Sequence, residues 1–263
     1  IILSSAIKKY SDYYGVVCGK ENILFTNNDS AYETAISLFN KGIKINAIID
    51  IREKVNSEIT NHAEKIGIKI YNSYTIVDTS GYRRIKEVSI MKLSKDGQSV
   101  TGSKVKIKCD CLGISGGWTP AVHLFTQSGG KLKFDNEDNV FIPSKYPSDQ
   151  ISIGSCNGEF DLNTIIKNFN QNIKNFLGID KTSFEDLKIN STKEILKRNI
   201  WLLPSDKAIG KCKPFVDFQN DATAKDIKLA LREGFRSIEH VKRYTTTGMG
   251  TDQGKLGNMH ALG

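Results

Sequence analysis

No apolar run in these 263 residues reaches membrane-spanning length, so no transmembrane helix and no membrane partner are expected. There is no dense Lys/Arg block interleaved with aromatics either. The formal net charge of +8 comes from lysines scattered among Asn and Ile, so nucleic acid is not the expected partner. An acidic partner subunit or a phosphate-bearing ligand suits that charge equally well. The five cysteines (Cys18, Cys109, Cys111, Cys156 and Cys212) lack a framework spacing, which excludes a disulfide scaffold and argues for a reducing, cytoplasmic compartment. Cys109-x-Cys111 places two thiols on one face of a strand, but no partner ligands accompany them, and small core residues are the plainer reading. The four histidines, His62, His123, His240 and His260, are dispersed and lack the Ser or Cys spacing of a triad. There is no Met start and no signal-peptide n-region to argue from. The chain opens on Ile1-Ile2-Leu3 and stops at Leu262-Gly263, and it reads as part of a longer protein.

What is present is a globular composition, with 39% hydrophobic and 25% charged residues, and a length suited to one α/β domain plus a smaller module. Ser4 or Ser5 is expected to cap a helix that ends at Tyr14 before Gly15. A buried strand, Asn22 to Thr26, leads through a polar Asn27–Ser30 turn. Asp29 or Ser30 then caps a helix that ends at Gly42. A second strand covers Ile43 to Ile49, with Asp50 at its end. Asp50 lies about twenty residues after the first turn, where a dinucleotide fold places its ribose-binding acid. A G-x-G-x-x-G would fall on Thr26 to Ala31, however, and none of those residues is glycine. A β-α-β unit kept for packing, with Asp50 solvated, is the plainer alternative. A helix over Ser57 to Ile66 and a strand over Ile68 to Tyr71 continue the alternation. Thr75–Val77, Ile85–Leu93 and Val105–Cys109 then read as an antiparallel meander, with turns at Gly81 and Asp96-Gly97.

Two further stretches carry glycine turns. In Cys109 to Gly130 an apolar strand ends at Ser115, Gly116-Gly117 and Trp118 follow, and Pro120 stands where a short helix would begin. Lys131 to Phe134 is a strand. Gln150 to Ile153 is expected to be a strand feeding Gly154-Ser155-Cys156-Asn157-Gly158. The amphipathic helix Leu162 to Leu177 follows. Strand, glycine turn and helix bring backbone amides close to a bound phosphate or nucleotide. Gly116, Gly117, Gly154, Ser155, Cys156 and Asp50 are therefore the candidate cofactor-binding residues. Trp118 and His123 read as packing or structural residues rather than ligand contacts. Residues 179–210 form a polar linker with a helix near Phe184 to Ile189, and Trp201 anchors it. In the last module Thr223 caps a helix Ala224 to Glu233, and Ser237 caps a second. A loop with Gly248, Gly250 and Gly254 follows. So small a module needs a metal or a neighbour to be stable.

The segment FVDFQNDATAKDIKLALREGFRSIEHVKRYTTTGMGTDQGK resembles the A3 domain of the heterotetrameric sarcosine oxidase alpha subunit. GISGGWTPAVHLFTQSGGKL and LFTNNDSAYETA resemble the same family, and together these stretches span nearly the whole chain. The resemblance implies an α/β fold of the two-dinucleotide-binding-domain flavoprotein type, its N-terminal part missing, over 1–178. Within it the inserted NAD-type domain would cover about 20–75, and the return to the first dinucleotide domain about 105–178. A small helical ferredoxin-like A3 module would cover 211–263. In modules of that type four cysteines hold a two-iron two-sulfur cluster. The matching positions here are Asp217, Gln219, Asp252 and Gly257, none of them a thiol, so no iron–sulfur cluster and no metal are expected. Where the fold ordinarily ends a strand in Gly-Asp, this chain has Gly154-Ser155, which fits NAD rather than FAD in that pocket.

By the same resemblance the complex holds FAD and FMN and contains beta, gamma and delta subunits. It oxidises sarcosine to glycine with formation of peroxide, and with tetrahydrofolate, bound by a domain downstream, it forms methylenetetrahydrofolate. Catalytic residues belong to another subunit, so none is expected here. Two alternatives stand beside this reading: a subunit of a proline- or opine-type dehydrogenase, and a scaffold that only supports flavin subunits.

Overall fold

The computed structural model describes residues 1–147, 149–178, 199–255 and 257–263. The helix expected near Phe184 to Ile189 lies outside these residues. The chain divides into two compact units, Ile1–Asn72 with Cys109–Asn199 and Ser73–Lys108 with Ile200–Gly263.

In the first unit, β1 (Ile2–Leu3) runs into α1 (Ser4–Tyr14), followed by β2 (Asn22–Thr26), α2 (Ser30–Asn40), β3 (Ile45–Asp50), α3 (Glu58–Lys65) and β4 (Ile70–Asn72). The chain then leaves for the second unit as β5 (Tyr74–Gly81), β6 (Ile85–Leu93) and β7 (Val100–Lys108), and returns as β8 (Cys111–Ser115). The sheet order is β1-β8-β2-β3-β4, and every pairing is parallel. Buried on both faces, such a sheet wants continuous apolar strands. Ile23-Leu24 and Ala47-Ile48-Ile49 meet that demand with no exposed surface. Ile7, Leu24, Leu38, Ile48 and Cys111 share one core cluster. Gly113 is glycine for space: a Cβ there would come within 2.5 Å of Leu24 Cδ2 and 2.7 Å of Ile7 Cδ1.

This topology corrects the expectation that Cys109 to Gly130 returns to a different dinucleotide domain. β8 hydrogen-bonds β1 on one side and β2 on the other, so it completes the same sheet that β2 begins. Periodicity identifies a buried strand but not its neighbours. Local boundaries shift for identifiable reasons. Leu3, not Ser4 or Ser5, takes the N-cap of α1, while Ser4 enters the helix and is buried. β3 starts at Ile45 because the Ile43 amide is used to close α2 onto Leu38 O. β4 starts at Ile70 because the Ile68 amide likewise bonds Ala63 O.

Beyond β8, α4 (His123–Gln127) begins three residues after Pro120 and buries Phe125. β9 (Lys131–Asp135) pairs antiparallel with β10 (Val140–Lys145), a strand the sequence reading lacks; Pro143 obscures it, and it sits beside an irregularity in the ladder. Gln150–Ile153 does not form the expected strand. Ile153 is extended, but the segment joins no sheet and leads straight into a 3-10 turn, Gly154–Asn157. The helix α5 (Leu162–Leu177) is as expected. The Asp161 carboxylate accepts from Thr164 N at 2.8 Å, and Gly178 ends the helix in the left-handed region.

In the second unit β5, β6 and β7 form the expected antiparallel meander, in that order. Val88 and Ile90 of β6 are fully buried, and Lys104, Lys106 and Lys108 alternate along the edge strand β7. The C-terminal part consists of a short hairpin, β11 (Phe215–Asp217) and β12 (Ala222–Thr223), then α6 (Ala224–Arg232), α7 (Ile238–Thr245) and α8 (Gly257–Leu262). Asp226 receives Thr223 N at 2.8 Å and Thr223 Oγ1 at 2.6 Å, which fixes the start of α6. Trp201 meets His260 of α8 edge-on, with ring centroids 6.1 Å apart. Lys104 pairs with Asp206 at 2.9 Å and Lys207 with Asp78 at 2.5 Å, so the meander is tied to the segment that enters the C-terminal module.

Candidate functional site

In an open parallel sheet the place for a ligand is the carboxyl edge at the point where strand order reverses. Here that point lies between β2, whose chain proceeds to β3 on one side, and β8 on the other. The residues at that edge are Thr26 to Ser30 and Ser115 to Gly117. In a dinucleotide fold this turn carries glycines so that a pyrophosphate can reach the helix amides. In this chain the space is taken by a side chain. Asn28 is fully buried. Its Oδ1 accepts from Ser30 N at 3.1 Å, Ser30 Oγ at 2.6 Å and Ser115 Oγ at 3.1 Å. Its Nδ2 donates to Ser115 O at 3.1 Å and to Asn27 Oδ1 at 2.8 Å. The amide that would greet a phosphate is satisfied from within.

A buried ionic cluster stands beside it. Asp50 has no exposed surface, which overturns the solvated alternative. Its Oδ1 accepts from Arg52 N at 2.9 Å, and its Oδ2 accepts from Tyr32 Oη at 2.9 Å and from the Arg52 guanidinium at 2.8 Å. Asp29 Oδ1, at the start of α2, lies 2.8 Å from the same guanidinium. Burial and the Asp50 charge push the Tyr32 hydroxyl well above its usual value, so it stays a donor. Burial alone would lower the Arg52 guanidinium, but Asp50 and Asp29 outweigh it and raise it, so the cation persists. Two carboxylates against one guanidinium leave an excess negative charge at the turn, which repels phosphate. The Asp50 carboxylate is thus directed to Arg52 and Tyr32 rather than to a ribose. Sequence reasoning noted the missing glycines and gave Asp29 only a capping role, but missed Asn28, Tyr32 and Arg52, whose bonds to Ser115, Asp50 and Asp29 cross 87, 18 and 23 positions of the chain.

Gly116 and Gly117 are exposed at the end of β8. A Cβ on Gly116 would meet nothing within 4 Å; on Gly117 it would meet only the Asn27 amide, at 4.0 Å. Packing therefore does not account for the pair, and the open space beside it suits a ligand's approach. Gly117 also has a φ of 117°, which favours glycine. Gly154, Ser155 and Cys156 stand on another element, the 3-10 turn packed against β10 and α5. Gly154 has a φ of 79° and is buried, Ser155 is exposed, and the Cys156 thiol is 3.1 Å from Ile153 O. A turn of this kind leaves its first amides without helical partners. The six candidates thus sit on three elements: Gly116-Gly117 follow β8, Gly154–Cys156 form the 3-10 turn, and Asp50 ends β3, two strands from β8.

Trp118 is 49% exposed and His123 is exposed at the start of α4, so neither is held by packing. Cys109 and Cys111 are buried, and burial, then the neighbouring Cys111 and Asp110, pushes the Cys109 thiol up to about 11, which makes it inert.

Of the four positions matched to cluster ligands, Asp217, Gln219 and Asp252 are knit by hydrogen bonds. Asp217 is buried; its Oδ1 accepts from Gln219 N at 2.8 Å and Asn220 N at 3.1 Å, and its Oδ2 from Gly248 N at 2.7 Å. Gln219 Oε1 accepts from Thr251 N at 2.6 Å and Thr251 Oγ1 at 2.7 Å. Gly257 packs over Asp217, while Asp252 Oδ1 bonds Gly254 N at 3.2 Å within its own loop. Among the described residues no group of three or more His, Cys, Asp or Glu is placed to hold a metal ion. Nor is any helix among them long and apolar enough to cross a membrane.

The loop of closely packed glycines that follows α7 has a counterpart among known families. Residues 211–263 match the sarcosine oxidase A3 domain. Similarity to sarcosine oxidase alpha subunits extends along the whole chain. The subunit from Corynebacterium sp. (strain P-1) is 30% identical over 274 residues, which cover 100% of this chain and 28% of the relative. The subunit from Rhizobium meliloti (strain 1021) is 31% identical over 273 residues, covering 100% of this chain and 25% of the relative. The chain thus spans about a quarter of the length of the sarcosine oxidase subunits it matches, and the word subunit marks those relatives as parts of a multi-subunit complex. Among solved structures, L-proline dehydrogenase from P. horikoshii superposes with a TM-score of 0.57 at 17% identity, over 96% of this chain and 46% of that one, which shows a common fold.

Proposed function

We propose that this chain is the nucleotide-binding, non-catalytic part of the alpha subunit of a sarcosine-oxidising flavoprotein complex. The observation that carries the reading is the similarity at about 30% identity along the full chain to subunits of that name. In this reading the complex converts sarcosine to glycine with peroxide formation, and methylenetetrahydrofolate arises when tetrahydrofolate is bound downstream. The cofactor assigned to this subunit is NAD; FAD and FMN belong to the assembled complex, along with beta, gamma and delta subunits in a cytoplasmic heterotetramer. Domain limits of 1–178, 179–210 and 211–263 follow from the same reading.

The dinucleotide is assigned to the Gly154–Cys156 turn, with Gly116-Gly117 flanking it, and not to the turn at Thr26–Ser30. Two features support that choice. Asn28 fills the Thr26–Ser30 turn, and Asp29 and Asp50 place excess negative charge there. Gly154, by contrast, opens a turn that ends next to the start of an amphipathic helix, and Gly116 has open space beside it. When bound, NAD supplies an adenine dinucleotide moiety to be held in place. This chain's own part is to offer backbone amides at Ser155 and Cys156 to its phosphates and to leave room at Gly116 and Gly117.

The test is mass spectrometry of nucleotide released from the denatured complex, together with turnover on sarcosine and on proline. Wild-type complex is expected to release NAD and to prefer sarcosine. Gly154→Val should abolish the release, whereas Asn28→Gly should leave it intact. No dinucleotide from the wild-type complex, or a preference for proline, sinks the reading. A scaffold-only role is favoured if Gly117 and Ser155 can be replaced without loss of cofactor or activity.

A further inference from the structure

The turn that joins β5 to β6 is closed tightly. Gly81 pairs with Ile85, so Tyr82, Arg83 and Arg84 alone reverse the chain. Gly81 has a φ of 145°, and a Cβ there would fall 2.1 Å from Arg84 O, so glycine is required. Gly81 to Arg84 are all exposed. At 93%, Tyr82 is more exposed than any other large hydrophobic side chain among the described residues, so burial does not account for the ring. The nearest acids along the chain are engaged: Asp78 pairs with Lys207, and Glu87 with Lys106 at 3.3 Å. From Thr79 to Lys86 there is no acid, while Arg83, Arg84 and Lys86 all fall there. Among the described residues no ion pair engages Arg83 or Lys86. The positive charge therefore stands on the tip itself.

Composition separates recognition from solubility. Of the 37 basic residues only seven are arginine, and Arg83-Arg84 is the one place where two adjoin. Scattered lysine serves the rest of the chain. A guanidinium fork beside an exposed tyrosine is the pairing that interfaces select, because the fork matches a carboxylate with two hydrogen bonds. The exposed tip encloses nothing, so a free anion finds no cavity, and three basic residues are a short track for a nucleic acid backbone. The relatives are named as subunits, which puts a protein surface within reach. We infer that the β5–β6 tip, through Tyr82, Arg83 and Lys86, docks on a carboxylate-bearing surface of a partner subunit. The inference rests on the reading of this chain as part of a complex.

The experiment uses the full-length chain purified with the other subunits, followed by sedimentation over a range of concentration and salt. Arg83→Glu combined with Lys86→Glu should weaken assembly about a hundredfold at low salt, and Tyr82→Ala roughly tenfold. Amide exchange in β5 and β6 should stay at the wild-type rate. The loss from the charge reversals should shrink as salt rises, and Arg83→Lys should lose far less than Arg83→Glu. Lys92→Glu reverses an exposed charge at the other end of β6 and should leave assembly unchanged. Tip variants that assemble like wild type overturn the proposal, and so does an equal loss from Lys92→Glu, which would make the effect one of net charge. Normal assembly with loss of co-purifying nucleic acid assigns the tip to that ligand and overturns it too. A wild-type chain that sediments alone removes the complex reading as well, whereas a complex that forms and ignores the tip removes this proposal only.

Discussion

Arg52 decides the character of the carboxyl edge of the parallel sheet. It is 3% exposed and is bound by Asp50 and Asp29, so truncating it leaves two buried carboxylates without their cation. Arg52→Ala should therefore destabilise the first unit by about 3–5 kcal/mol in urea unfolding. A change under about 1 kcal/mol would show the cluster to be solvated in solution. Asp217 has the corresponding role in the A3 module. Burial alone would raise its carboxyl, but the amides of Gly248, Asn220 and Gln219 hold it below the ordinary 3.8. With a folded value below the unfolded one, its contribution is complete above pH 3.8 and is lost as pH falls through the folded value. Asp217→Asn should cost roughly 1.5–3 kcal/mol at neutral pH and remove that acid-side loss. The measurement is thermal melting from neutral pH down to about pH 2, followed by the fluorescence of Trp201, which packs on α8 of the same unit.

At the scale of elements, glycine does different work in different places. Gly113 lies in β8 under Leu24 and Ile7, with no room for a side chain. Gly113→Val should cost about 1–3 kcal/mol by overpacking, read as a lower urea midpoint at unchanged slope. Gly116, two residues beyond Ile114 of β8, has open space, and Gly116→Ala should leave stability alone while bearing on any ligand held there. The amphipathic patterns of α2, α3 and α5 and the apolar run of β2 were legible because each is a local period of 3.6 or a short buried stretch. β10 and the Gln150–Ile153 segment were not. Pro143 hides a strand that its partner β9 nonetheless accepts, and Gln150–Ile153 has a strand's composition but no partner. Composition describes what a segment tolerates, and pairing depends on which neighbour reaches it.

For the whole molecule, each unit is built from two separate stretches of chain. In the second unit two surface ion pairs, Lys104–Asp206 and Lys207–Asp78, join the meander to the segment before the A3 module. Being exposed, they should add little, and less still as salt screens them. Lys207→Glu is expected to shift the unfolding midpoint slightly at low salt and not at all in 1 M NaCl; a large, salt-insensitive shift would mean that the two stretches depend on this pair. The α/β class, most helices with their stops, the meander, and the likeness of the last module to A3 domains could be read from the order of residues alone. These rest on contacts between near neighbours or on local periodicity, which a linear string records. That β8 slots between β1 and β2, that Asn28 closes the turn where glycines were missing, and that Asp50 faces Arg52 and Tyr32 instead of solvent came from the fold. Each depends on residues brought together from distant positions or from opposite ends of a turn. The energy of a buried polar group is set by whatever partner the fold delivers.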